Sequence, residues 1–553
     1  MKIFVRLISV VLCCGALSVF AQDRGVPKGK ELLKQGMIDE ALAVLRRTSA
    51  IEPTNVEALY WLGQAYLKAA KPDSAEIIGL NLLSQNNKGV DGYLLVAEAE
   101  TAQKEFSDAY IILRKGLKAT KKNPLLLTQL GFVQLEHDST EQAIVSFSQA
   151  KESDPNNHAN YRGLGEAYLK LAANPIAIMQ FEKSIELDSM QINLKYRLAN
   201  LYMKERRYTE AAKMYHSVLQ QNPEDDNAAL ELAKLYFAAR QYANAARVLE
   251  PLANRKPNDQ EIWLMYMDAL YSSKQYTHAI EAAEHVLTLD ANSKRALRVS
   301  ARANFILKKY EESIASYQAL SAVDTIDATD TKNWGKSHLE LKMDSLGVMY
   351  LEKSLAMDST QSDIFTELGA AYMRLRQWDL AAKMYSKKMV QDSSYATAYV
   401  NYALSNMQLA KWEEARKALY NFLILRPTYL QGHLYLARCL AQMDSLSSAV
   451  REYNTVVQLA DTSETKYKTE LGEAYKMMSL AYLIEKKYPP ALESLTKAVS
   501  FKPDDVELHL WRAQTLHTLS KKDDAAREYK NVLRLDPNNK DAKKGLQLLE
   551  QYN

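Results

Sequence analysis

Small apolar residues return along this chain at a fixed step. From Ala41, steps of 34 residues reach Ala75, Ala109, Ala143, Ala177, Ala211, Ala245, Ala279, Ser313, Gly347, Ala381, Ala415 and Ala449. Twelve residues ahead of each stands a second small position, from Gly29, Gly63 and Ala97 to Ala403 and Ala437, with Met267 its one large member. Around both marks the apolar residues lie three and four apart, as in Leu59, Leu62, Gly63 and Tyr66, or Ala143, Phe147 and Ala150. That spacing predicts two amphipathic helices per period, joined by a short turn. The small positions fall where the helices cross and a large side chain has no room. Pro53, Pro155, Pro223, Pro257, Pro427, Pro503 and Pro537 follow second helices and end them. A fixed period of this length means one unit stacked many times, a solenoid.

The unit resembles the tetratricopeptide repeat. Leu164, Gly165, Tyr168, Ala177, Phe181 and Ser184 stand at that family's offsets, as do Ala513, Ala525, Tyr529 and Pro537. The resemblance covers about residues 25 to 553, with units starting at 22, 56, 90, 124, 158, 192, 226, 260, 294, 328, 362, 396, 430, 472 and 506. It implies an all-α, right-handed superhelical solenoid of about fifteen helix-turn-helix units. The array would run over residues 22–539 and close with a capping helix over 540–553. The first unit is poorly formed, since DRGVPKGKELL is rich in glycine and lysine. The spacing breaks once: the unit at 430 is followed eight residues late by the unit at 472. Eight residues are about two helical turns, or roughly 12 Å. They predict a lengthened first helix, capped by Thr462 or Ser463, that projects past the edge of the stack. Ser313, Thr331, Ser337 and Gly347 predict that the joint around the unit at 328 is the loosest.

The N-terminus changes the picture of where the chain works. Lys2 and Arg6 precede an apolar stretch, Leu7 to Phe20, and Val19-Phe20-Ala21 suits a cut before Gln22. Residues 1–21 are therefore expected to be a cleaved signal peptide, and the protein to be exported, periplasmic or secreted. Cys13 and Cys14 leave with that segment, so Cys439 remains alone and no internal disulfide forms. The formal net charge of +3 falls to +1 once Lys2 and Arg6 are removed. A nearly neutral chain is not expected to bind nucleic acid, and without its leader it is not expected to insert into a membrane. The oligomeric state is not specified by any of these features.

Candidate chemistry is sparse. There is no glycine-rich phosphate loop and no serine elbow. His278 and His285 lie seven apart with no third ligand at metal spacing, so neither metal nor cofactor is expected. The repeats run to the last residues and leave no stretch for a catalytic domain, so the chain is not expected to be an enzyme. One cluster stands out. Arg295, Arg298 and Arg302 share a first-helix face, and Lys332 and Lys336 hold the matching face one unit later. In the resembled family that face lines the groove where peptides lie, so these five are the candidate partner-binding residues, suited to an acidic protein segment. Glu261, Asp268 and Asp363 occupy corresponding offsets and would neutralise them by pairing between layers. The resemblance implies a protein-binding scaffold that holds partner protein segments in a superhelical groove, in cell-envelope assembly or secretion. The alternative is glycan or polysaccharide handling in an export machine, through Tyr60, Trp61, Tyr196, Phe237, Tyr271 and Phe305 near groove offsets.

Overall fold

The structure, a computed structural model, describes residues 25–460 and 465–551. The expected signal peptide and the Thr462 or Ser463 helix cap lie outside the described residues. Among the described residues there are helices and turns but no strand. The chain divides into two compact bodies, parting between Lys256 and Pro257. In the first body, a helix over residues 25–34 and the helix Ile38–Ile51 open the stack. First helices then begin at Val56, Val90, Pro124, His158, Ile192 and Asp226. In the second body they begin at Gln260, Lys294, Ala328, Ile364, Ala396, Leu430, Lys468 and Val506, and Lys540–Gln551 follows the last pair. Within each body successive helices pack on one another, and several first helices also meet the next first helix. Each body is thus an α-solenoid.

The recurring small positions explain the close packing. Ala41, Ala75, Ala143, Ala211, Ala279, Ala381 and Ala415 are fully buried, at 0% exposure. The earlier small position lies under a large side chain from the second helix of its own unit. A Cβ at Gly131 would run into the Phe147 ring, and one at Gly165 into Phe181. In the unit at 56 the large residue is replaced by Gly79, and Leu95 of the next unit fills the space over Gly63 instead. The turn between paired helices is equally regular. One residue of each such turn takes a left-handed backbone: Ala70, Lys104, Asp138, Ala172, Arg206, Arg240, Lys274, Lys308 and their later equivalents, with Gly36 the only glycine among the described residues. The next N–H then bonds back five residues, as Lys309 N–H to the Asn304 carbonyl at 2.9 Å. This is a Schellman closure, which satisfies carbonyls at the helix end.

Two expectations are corrected. The first helix of the unit after the insertion, Lys468–Ile484, has 17 residues where Val506–Thr518 has 13. The lengthening is therefore four residues, about one turn, and a short 3-10 turn, Thr465–Tyr467, precedes it. The added turn does not project freely: Leu471 is fully buried and Glu470 accepts a hydrogen bond from Gln431 at 2.8 Å. Nor is the joint at 328 loose. Gly335 and Gly347 face each other so closely that a Cβ on either would lie 3.1 Å from the other's carbonyl oxygen. Ser313 donates to the Ala301 carbonyl at 3.0 Å, and Trp334 stacks on Tyr350 at 4.1 Å. The small residues there mark close approach. No helix among the described residues is long and apolar enough to cross a membrane.

Candidate partner-binding faces

First helices expose a face whose second, fifth and ninth positions repeat from unit to unit. On the unit starting at 294 these are Arg295, Arg298 and Arg302; on the unit at 328 the fifth and ninth are Lys332 and Lys336. The structure pairs all five. Arg295 meets Asp268 of the preceding unit. Arg298 reaches Asp324 at 3.1 Å and Asp330 at 3.0 Å. Arg302 reaches Asp327 at 3.0 Å and Asp330 at 2.6 Å. Lys332 and Lys336 converge on Asp363 at 3.2 and 3.1 Å, and Lys336 also meets Glu367 at 2.7 Å. Burial pushes the Asp363 carboxyl up, but Lys336 and Lys332 outweigh it and hold it below the usual carboxylate range. Asp330 is the centre of this network, with 0% exposure, two arginines and the Tyr317 hydroxyl donating at 3.3 Å. The cations tie adjacent layers together, and the face carries no surplus of positive charge.

Asp268 and Asp363 pair as the sequence suggested, while Asp324, Asp327, Asp330 and Glu367 were missed. A simple rule would have found part of this set. At three joints a charge at the ninth position pairs with the opposite charge at the second position of the next unit, 27 residues on: Lys30 with Glu57, Asp268 with Arg295, Lys336 with Asp363. Across the eight-residue insertion the corresponding spacing is 35, and Arg438 forks onto Glu473. His285, one of the two spaced histidines, stacks on Trp263 at 3.9 Å and bonds the Pro257 carbonyl at 2.7 Å.

An open cavity on the first-helix face was not anticipated. It measures about 730 Å³ and spans the units at 124, 158 and 192 in the first body. Phe132, Met190 and Ile192 supply its apolar lining, and Met190 is 70% exposed. Arg162 lies over the Phe132 ring at 5.2 Å, and Arg197 pairs with Glu166 at 3.0 Å. Phe132, Arg162 and Glu166 occupy ninth, fifth and ninth positions, so the offsets were legible although the apolar character was not weighed. The aromatic residues near groove offsets meet neighbours edge-on: Tyr60 with Trp61, Tyr196 with Tyr215, Phe237 with Tyr242, Tyr271 with Tyr276, and Phe305 with Tyr310.

Comparison with known proteins places the repeat. Tetratricopeptide repeat family models match residues 32–88, 202–266 and 487–540. A model described as anaphase-promoting complex, cyclosome, subunit 3 matches residues 238–320. The human protein O-mannosyl-transferase TMTC1 is 22% identical over 188 residues, 33% of this chain and 21% of that protein. The chain thus spans about a fifth of that relative's length. Among solved structures, the C-terminal part of a TPR repeat-containing protein from Cytophaga hutchinsonii is 20% identical, with a TM-score of 0.35, covering 51% of this chain and 99% of that one. The Cut9–Hcn1 assembly of the APC/C is 13% identical, with a TM-score of 0.29, covering 90% of this chain and 96% of that one. With the 34-residue period, the paired helices and the family matches at three stretches, this chain is a tetratricopeptide repeat protein.

Proposed function

We propose that the protein is an exported scaffold that holds segments of a protein partner on the first-helix face of its first body, in cell-envelope assembly or secretion. Tetratricopeptide arrays are protein-interaction scaffolds, and the partner is bound by shape and a few side chains. The observation that carries this reading is the 730 Å³ cavity, where apolar Phe132, Met190 and Ile192 lie beside Arg162 and Arg197. An extended segment would bury apolar side chains there and exchange hydrogen bonds with the two guanidiniums. Export is supported by the basic start and apolar run of residues 1–21. N-terminal sequencing of protein secreted by a bacterial host is expected to find Gln22 first; Met1 retained in a membrane fraction would instead indicate an anchor. For binding, a partner recovered by pull-down is titrated against the chain and its Arg162→Ala/Arg197→Ala variant. About a ten-fold loss of affinity, or 1.4 kcal/mol, is expected with helicity unchanged. Equal affinities would exclude this face.

A further inference from the structure

The outward face of four successive second helices carries an apolar row at one register. Ile77, Ile111, Val145 and Met179 stand 34 residues apart and are 67%, 63%, 54% and 55% exposed. The next two units in the first body place Lys213 and Arg247 at that register, the solvated choice. The row is therefore confined to the units at 56, 90, 124 and 158. Each second helix packs on the first helices flanking it, so a furrow opens between neighbouring second helices. Between Phe106–Ala119 and Thr140–Ser153 this furrow holds two adjoining cavities of about 320 and 950 Å³, which share Tyr110, Gln134 and Gln142.

The same furrow is cationic. Arg114, Lys115, Lys118 and Lys122 line the larger cavity, and no carboxylate does. Residues 109–135 contain those four and Lys121 but not one Asp or Glu. Unlike the five cations on the units at 294 and 328, these five are exposed and form no ion pair among the described residues. Lys118 lies in the last turn of its helix, where the macrodipole favours it.

We propose that this second-helix face is a docking site for an acidic, amphipathic helix of a partner protein. It rests on the reading of the chain as a protein-binding scaffold, but on a different face. Apolar rungs roughly one helix diameter apart, about 10 Å, match side chains seven residues apart on a helix lying across them, which rise about 10.5 Å. Acidic residues flanking that stripe would meet Arg114, Lys115 and Lys118. The chain's own first 24 residues are not the occupant, because Lys2, Arg6 and Arg24 against Asp23 make them cationic too. A recessed furrow lined by branched aliphatic side chains suits a helix better than a flat bilayer surface.

The probe is a fluorescein-labelled helical peptide of about 20 residues, with leucine at every seventh position and glutamate beside each leucine. Its anisotropy is read against the full chain at low salt. Binding is expected, and it should weaken as salt screens the charge. A peptide with the leucines dispersed around the helix, and one with lysine for glutamate, should each bind at least about ten-fold more weakly. Arg114→Glu/Lys118→Glu and Ile111→Ser/Val145→Ser should each lower affinity by a similar factor without changing circular dichroism, since all four side chains are exposed. Arg162→Ala/Arg197→Ala should bind the peptide as the parent does. If that pair alone lost binding, the peptide would belong to the first-helix face and this proposal would fall while the scaffold reading stood. Equal binding of the dispersed peptide would overturn it. So would flotation of the chain with phosphatidylserine vesicles lost on Arg114→Glu/Lys118→Glu, or a dimer dissolved by Ile111→Ser/Val145→Ser.

Discussion

Lys308 holds φ at 61°, in the left-handed region, to let the chain turn from one helix into its partner. A residue with a Cβ pays about 1–2 kcal/mol for that conformation, while glycine pays mainly in unfolded-state entropy. Lys308→Gly is therefore expected to raise stability by about 0.5–1 kcal/mol in urea unfolding, and Lys308→Val to lower it. Equal midpoints for the three proteins would mean the turn is not strained. The alanine slots act in the opposite sense, because there is no room rather than unused freedom. Ala143 is fully buried where two helices cross, so Ala143→Leu should cost about 1–3 kcal/mol through overpacking. Lys115→Ala, at an exposed site, should stay within about 0.5 kcal/mol. Lys151 makes a poorer control: its ammonium lies over the Tyr161 ring at 5.9 Å. Burial at such a position depends on the neighbouring layer, which a single helix's periodicity does not contain.

At the scale of the helix, the repeat was legible and the charges were only partly so. First helices begin at Val56, Val90, Pro124 and onward because identical spacings of small, apolar and turn residues recur many times over, and each recurrence corrects the next. The partners of Arg298 and Arg302 were harder to see. Asp330 stands at a third position, away from the groove offsets, and no propensity marks a fully buried carboxylate. The cavity at Phe132 and Met190 was missed for a similar reason: the sequence drew attention to charge, whereas exposed apolar side chains are visible only once the layers are stacked. Asp330 now gives a sharp test of the network. Asp330→Ala removes the shared acceptor of two arginines. It should cost about 2–3 kcal/mol, less than the usual loss at a broken buried pair, because Arg298 and Arg302 keep Asp324 and Asp327. Asp330→Asn, which retains the shape and an acceptor, should cost less. If Asp330→Ala matched the parent in urea, the network would contribute nothing to holding the two units together.

For the molecule as a whole, stability is distributed, since each unit leans on its neighbours and no central core exists. The terminal pair of the second body shows what that means. Tyr529 is 3% exposed and Val532 fully buried, and both belong to a cluster completed by Ala542 and Leu549 of the helix Lys540–Gln551. The Tyr529 ring sits so close over Gly545 that a Cβ there would have no space. Removing that helix uncovers the outward side of Val506–Thr518 and Lys522–Leu535 while leaving the units at 260 and 294 with all their neighbours. Truncation before Lys540 should therefore lower hydrogen-exchange protection first in those two terminal helices, with protection at Gln260–Ser272 and Lys294–Ile306 nearly unchanged. A parallel loss along the whole second body would instead mean that it unfolds as one cooperative unit, and that the nearest-neighbour account of its stability is wrong. The two faces assigned to partners lie in the first body, so the truncated chain should also keep its affinity for the acidic helical peptide, which makes the exchange measurement independent of binding.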